Sequence, residues 1–376
     1  ETAPATANHI VHRVPSPDQS DILTYHKADV PEPSGPTMDL TATNIVIATG
    51  AKPRPLPGNP FAGALIDSTQ ALEVNEFPSS AVIIGAGAIA LEFASMWNAA
   101  GSKVTLLIRK DRVLSAWDRR AGTTLTRELK RHGVNIITRA SVTHVDTGAN
   151  LGATVHYTRE GQDGEQSVWG EIALVAIGRD PITDPAWGVT IDDHGHVATD
   201  AYGRTDKPGV WAVGDVTAGH ALAHRAFEQG IVIAETIAGL NPKPVDEATV
   251  PQIVFSFPEA ASVGLTVEQA QAREDLIEIK ETNYPMLANA RMLMSGTAGS
   301  LTIVSGCDAA NPDTPRVLGV HMVSQMASDI IAEAEQLVGN HVPLADAARL
   351  VHPHPTFSET LGEALLKADG RPLHTR

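Results

Sequence analysis

An apolar run, Ala81-Val82-Ile83-Ile84, leads into a tight turn, Gly85-Ala86-Gly87, then a helical pattern from Ala88 to Ala100, then a second apolar run from Lys103 to Ile108. Two strands separated by one helix over some thirty residues must lie parallel, because the helix carries the chain back to its starting edge. Parallel strands are buried on both faces, so this stretch commits the chain to a doubly wound α/β sheet. Gly85 and Gly87 allow the tight turn and bring backbone N–H groups to the helix N-terminus, where a pyrophosphate is favoured. Ala90 stands at the last glycine position of this pattern, a change the pattern tolerates. The plainer reading is a turn that only packs helix on sheet; a strand before it and a helix after it favour the nucleotide.

The second strand ends Leu107-Ile108-Arg109-Lys110, without the acid that would bind a ribose 2′-hydroxyl. An apolar residue followed by two cations suits a 2′-phosphate, so Arg109 favours NADP, and NAD stays open. A solvated basic turn would read the same way.

Around this unit the pattern is coarser. Short strands are expected at residues 9–11, 22–25 and 44–48, a turn at residues 31–36, and a proline-rich connector at residues 51–60. A helix over 121–133 and a strand over 134–138 follow. Strands near 153–158 and 172–177 flank a polar hairpin at 160–166. The strand Val210 to Val213 runs into Gly214-Asp215, ahead of a helix over 221–238. From Thr249 on, strands at 253–256, 300–305 and 317–323 and helices at 328–338 and 358–367 suggest a separate α+β domain.

At 376 residues the chain can bury two or three cores. Its formal charge of −16 disfavours nucleic acid and anionic membrane surfaces as partners. No apolar run approaches the roughly 18–20 residues needed to span a bilayer. Cys307 is the single cysteine, which rules out a disulfide scaffold and points to the cytoplasm. No metal site is expected.

Near the C-terminus lies His352-Pro353-His354-Pro355-Thr356-Phe357-Ser358-Glu359. Pro355 biases His354 to an extended backbone, and Thr356-x-x-Glu359 has capping-box spacing for a final helix. Glu359 is then a cap and the histidines are packing residues. The same side chains also suit proton transfer to and from a thiol. The residues alone leave both readings open.

Seven segments, taken in order, resemble the class I pyridine nucleotide–disulfide oxidoreductases, most nearly the dihydrolipoamide dehydrogenase branch. They are Ile47-Ala48-Thr49-Gly50, the glycine fingerprint through Leu91-Glu92, Ala176-Ile177-Gly178-Arg179, Ala212 to Val216, Leu222 to Ala226, Phe257 to Gly264, and the C-terminal octet. The resemblance implies FAD together with NAD or NADP. It places Thr49, Gly50, Asp215 and Ala223 beside FAD, Glu92 near the nicotinamide, and Gly178 among the cofactor-binding residues. It makes His354 the general base and Glu359 the residue that orients it, with His352 accessory. It implies an FAD-domain remainder and connector at 1–78, an NAD(P)-binding domain at 79–190, a continued FAD or central domain at 191–247, and a dimerisation domain at 248–376. The implied partners are a second copy in a homodimer and a small dithiol, disulfide or lipoyl-domain substrate, with a 2-oxo acid dehydrogenase complex as one such setting.

The family's first strand–helix unit, with its FAD-binding glycines and CxxxxC pair, has no counterpart here. An N-terminally truncated chain, inactive alone, is therefore expected. The turn Ile108 to Asp111 looks more like glutathione reductase. A glutathione- or mycothione-type reductase using NADPH, or a non-catalytic NAD(P)-binding dimerisation remnant, are the alternatives.

Overall fold

The computed structural model describes residues 9–14, 22–27, 39–148 and 152–375; the turn expected at 31–36 lies outside them. The chain divides into two compact units, one of residues 1–52 and 179–250, the other of residues 53–178 and 251–376.

In the second unit a five-stranded parallel sheet runs in the order Leu65–Ile66, Ile172–Val175, Ser80–Ile84, Lys103–Ile108, Asn135–Thr138. Its strands are apolar on both faces, as a doubly covered sheet requires. Ala81 and Ile83 pack against Leu91 and Trp97 of helix Ala88–Ala99 and Leu125 of helix Arg119–Arg131. Val82 and Ile84 point the other way, onto Ala153, Val155 and Tyr157. Those residues belong to a three-stranded antiparallel sheet, Ala140–Asp146, Ala153–Arg159 and Glu165–Gly170, so this face is covered by a sheet where a helix layer would be usual. Helix Arg119–Arg131 begins two residues before the sequence suggests because buried Asp118 accepts the Ala121 N–H at 2.8 Å.

The same unit holds a five-stranded antiparallel sheet in the order Gln252–Val254, Glu259–Gly264, Asn311–Ser324, Ser300–Asp308, Leu276–Pro285. Helices Ala327–Gly339 and Glu359–Ala368 bury Ile331, Ala334, Leu361 and Leu365 against its Tyr284, Leu301 and Met322. The two sheets are not independent. Val254, Ala260 and Val323 of the second join the core beneath the fingerprint helix. The same helix accepts the Phe255 N–H on Glu92 at 3.0 Å and the Phe257 N–H on Ser95 at 3.2 Å.

The first unit contains an antiparallel sheet of His9–Val14, Ile22–Lys27 and Asp39–Thr41. Ile45–Ile47 pairs in parallel with Val210–Ala212, and a 3₁₀ turn at Gly214–Val216 and helix Ala223–Ile237 follow. Ile45, Val197, Val210 and Val216 make its core. Among the described residues no helix is long and apolar enough to cross a membrane.

Candidate functional site

Gly85 has φ +144°, and a Cβ there would run into the Ala176 carbonyl, so this turn tolerates no side chain. The Gly85 N–H donates to Leu107 O at 3.1 Å and the Ala176 N–H to Ile84 O at 2.8 Å, closing the ends of three strands around it. Gly87 is the N-cap of helix Ala88–Ala99, makes no side-chain cap, and has open space where its Cβ would be. The first-turn N–H groups are thus left available to an anion, and the residues fit a dinucleotide pyrophosphate. Ala90 is fully buried, and its methyl lies where a Cβ on Gly85 would touch it, which suits the close helix–strand approach.

Gly178 lies past the end of strand Ile172–Val175, and its carbonyl accepts the Arg54 N–H at 3.0 Å. Arg109 and Lys110 are exposed at the end of Lys103–Ile108, and neither pairs with an acid among the described residues. Glu92 is partly buried, and one of its oxygens is already engaged by Phe255. That bond gives it a structural job that sequence reasoning did not foresee.

In the first unit, Thr49 donates its hydroxyl to Ile182 O at 2.6 Å, and Gly50, at φ +70°, accepts the Ile182 N–H at 2.9 Å. Asp215 is half-buried in the Gly214–Val216 turn and has no protein partner among the described residues. Ala223 opens a helix whose N-cap, Leu222, supplies no side-chain bond. An unpartnered carboxylate beside an uncapped helix start fits the hydroxyl chain and the charge of a flavin nucleotide.

In the C-terminal octet one carboxylate meets both the histidine and the threonine of the expected motif. Glu359 Oε1 accepts a hydrogen bond from His354 Nδ1 at 2.8 Å, while Oε2 accepts the Thr356 N–H at 2.8 Å. The Thr356 hydroxyl accepts the Glu359 N–H at 3.4 Å, completing a reciprocal pair. One carboxylate therefore ties the turn ahead of the final helix, whose N-cap Ser358 makes no side-chain bond, and aligns the imidazole. With Nδ1–H committed to the carboxylate, Nε2 carries the lone pair and faces out, since the His354 side chain is 71% exposed. Burial pushes the Glu359 carboxyl up, but the Thr356 amide, the bond and charge of His354, and the charge of His374 outweigh it and hold the acid below its ordinary range.

His352 makes a second, partly buried pair. Its Nε2 meets Glu333 Oε1 at 2.9 Å, and that carboxylate holds the imidazole above its usual range against the pull of burial. A Cβ at Gly362 would strike the His352 ring, so the final helix is shaped around this residue. Cys307 is fully buried in strand Ser300–Asp308, and burial, with the Glu278 carboxylate, pushes its thiol up.

A glycine-turned parallel sheet, an unpartnered carboxylate near a helix start and a histidine–carboxylate pair on an α+β domain fit a flavin- and nicotinamide-dependent oxidoreductase. Residues 16–230 match the family described as pyridine nucleotide-disulphide oxidoreductase, and residues 250–365 match that family's dimerisation domain. The chain belongs to this family, whose dihydrolipoyl dehydrogenases use FAD and NAD(H). Its dimerisation domain supports a homodimer. The chain is 38% identical over 341 residues to a dihydrolipoyl dehydrogenase of Cupriavidus necator, and 36% identical over 341 residues to one of Bacillus subtilis. In both cases the match covers 89% of this chain and 70% of the relative. The solved structure of LpdA from Mycobacterium tuberculosis is similar with a TM-score of 0.82 and 26% identity, covering 95% of this chain and 76% of that one. The HOCl-induced flavoprotein disulfide reductase RclA of Escherichia coli is similar with a TM-score of 0.78 and 26% identity, over 92% of this chain and 76% of that one.

Proposed function

We propose that this chain carries the nicotinamide-binding, proton-handling and dimerising parts of a dihydrolipoyl dehydrogenase. The observation that carries the reading is the Glu359 carboxylate shared between His354 and Thr356, which fixes one tautomer of an exposed imidazole. His354 Nε2 would take the proton of a dihydrolipoyl thiol, and Glu359 would stabilise the resulting cation. The thiolate so formed is the species that attacks a disulfide. FAD and the nicotinamide, when bound, supply the electron and hydride chemistry. Gly85, Gly87 and the first turn of helix Ala88–Ala99 would hold the nicotinamide nucleotide, with Ala90 setting the helix–strand distance and Glu92 and Gly178 lining the site. Thr49, Gly50, Asp215 and Ala223 would lie along FAD. In this reading residues 1–78 and 191–247 serve the flavin, 79–190 the nicotinamide nucleotide, and 248–376 the dimer contact.

The substrate would be a dihydrolipoyl group, free or on a lipoyl domain of a 2-oxo acid dehydrogenase complex, and the setting cytoplasmic. Exposed Arg109 and Lys110 keep NADP in view, and affinities for NADH and NADPH decide between them. The test is dihydrolipoamide-dependent NAD⁺ reduction by the protein as its gene encodes it. The His354→Gln enzyme should lose about 10²- to 10⁴-fold in kcat. Unimpaired turnover in that variant, or a preference for glutathione disulfide with NADPH, overturns the proposal.

A further inference from the structure

The outer face of the three-stranded sheet over the nucleotide domain carries a cluster for which the reaction above has no use. His144 on strand Ala140–Asp146 lies directly opposite His156 on strand Ala153–Arg159, and Asp146 lies opposite Thr154. Glu165, on strand Glu165–Gly170, is paired with Thr158.

A backbone irregularity makes the meeting possible. Val142 pairs with Tyr157 and His144 with His156, so Thr143 is an extra residue between them. Tyr157 and Val155 are buried, and Val142 and Val145 pack on the same core. In unbroken register Thr143 would face His156, and His144 would turn inward opposite Val155. The bulge re-aims His144 to the outer face.

The two rings stack with centroids 4.1 Å apart and an 8° interplanar angle. Both Nε2 atoms point to one carboxylate: Asp146 Oδ2 is 3.1 Å from His156 and 3.9 Å from His144. Both Nδ1 atoms point to the other: Glu165 is 3.8 Å from His144 and 3.6 Å from His156. Glu165 is itself fixed by the Thr143 hydroxyl at 2.7 Å.

We propose that His144 Nε2, His156 Nε2 and Asp146 form a site for a divalent ion of the zinc, nickel and copper group. Two imidazoles with one carboxylate select these ions over calcium or magnesium, which prefer oxygen ligands. One ligand atom from each of the three side chains lies within 4.8 Å of the others. Tetrahedral zinc bonds near 2.1 Å ask for ligand spacings of roughly 3.4 Å, which rotation of these partly exposed side chains supplies. Glu165 sits at the far edge of both rings, just beyond hydrogen-bond reach of the two Nδ1 atoms, and a small rotation would let it accept from Nδ1–H and leave the Nε2 lone pairs for the metal. It orients the ligands and is not one of them. Water completes the shell.

Trp169 is 53% exposed on the same outer face, opposite Thr154 and diagonal to His156, and provides a local reporter. The test is calorimetric titration of the full chain with Zn²⁺, alongside Ni²⁺ titration followed by tryptophan emission. One high-affinity Zn²⁺ per chain and Ni²⁺ quenching are expected. His156→Ala and Asp146→Ala should each weaken binding at least about 10-fold, and Glu165→Gln about 10- to 100-fold. His194→Ala, which removes an exposed histidine elsewhere, should leave the affinity as it was. Circular dichroism confirms that the variants fold. Absence of stoichiometric Zn²⁺ binding, or equal affinity in His156→Ala and the parent, overturns the proposal. None of these readouts depends on dihydrolipoamide turnover.

Discussion

Replacing Glu359 by glutamine separates the two tasks of one side chain. The carboxylate offers two acceptors, and both are used at 2.8 Å. The amide offers one. The Thr356 N–H is fixed in the backbone and cannot turn away, so the remaining oxygen stays with it and the NH₂ faces His354. An amide donor at Nδ1 forces the ring proton to Nε2, the atom that should receive the thiol proton. The same exchange in the serine-protease triad lowers kcat about 10⁴-fold by fixing the wrong tautomer. Here the ring is 71% exposed and can rotate into water, so a smaller loss of about 10²- to 10³-fold is expected. Stability should change by only about 1 kcal/mol, the scale of a helix cap. Because the Glu359 carboxyl is held below its ordinary value, the pair's contribution to stability is complete above the ordinary carboxylate range and fades only as pH falls through the lowered value. The assay is kcat against pH with dihydrolipoamide and NAD⁺, paired with a thermal melt. An unchanged rate and pH profile in Glu359→Gln would refute the tautomer argument.

Gly85→Ala should abolish NADH binding in calorimetry and cost about 1–3 kcal/mol, because its Cβ meets the rigid Ala176 carbonyl at a backbone angle that favours glycine. For His352 the raised value means that the stability from its Glu333 bond is fully present below the ordinary imidazole pKa of about 6.5 and is lost as pH rises through the raised one. Urea midpoints of Glu333→Gln and the parent should therefore converge at alkaline pH, and a constant gap would contradict this. Cys307, buried with its thiol pushed up, should react with a thiol reagent only on unfolding; rapid labelling of the native chain would count against its burial.

The fingerprint strand and helix were legible because their signals are local: an apolar run, Gly85 and Gly87, then helical periodicity to Ala99. The His354–Glu359 pair was legible for the same reason, being five residues apart. Strand Ala140–Asp146 was not, because the extra residue Thr143 breaks the alternation that marks a strand. Strand Glu165–Gly170 was missed, its first two residues read as the end of a polar hairpin and the rest unassigned, since its outer residues, Glu165, Ser167 and Trp169, alternate with only modest apolar partners. The histidine–carboxylate cluster was invisible for want of strand pairing; His144-x-Asp146 hints at a shared face, but nothing local brings His156 to it. The Glu92 bond to Phe255 spans 163 positions, and no local signal reaches so far.

The bonds from Glu92 and Ser95 to Phe255 and Phe257 have a mechanical consequence. The helix whose first turn would meet a pyrophosphate is pinned along its length to the sheet that supports the final helix, within one compact body. A shift of that helix would therefore be felt directly in the strand connection at Phe255 and Phe257.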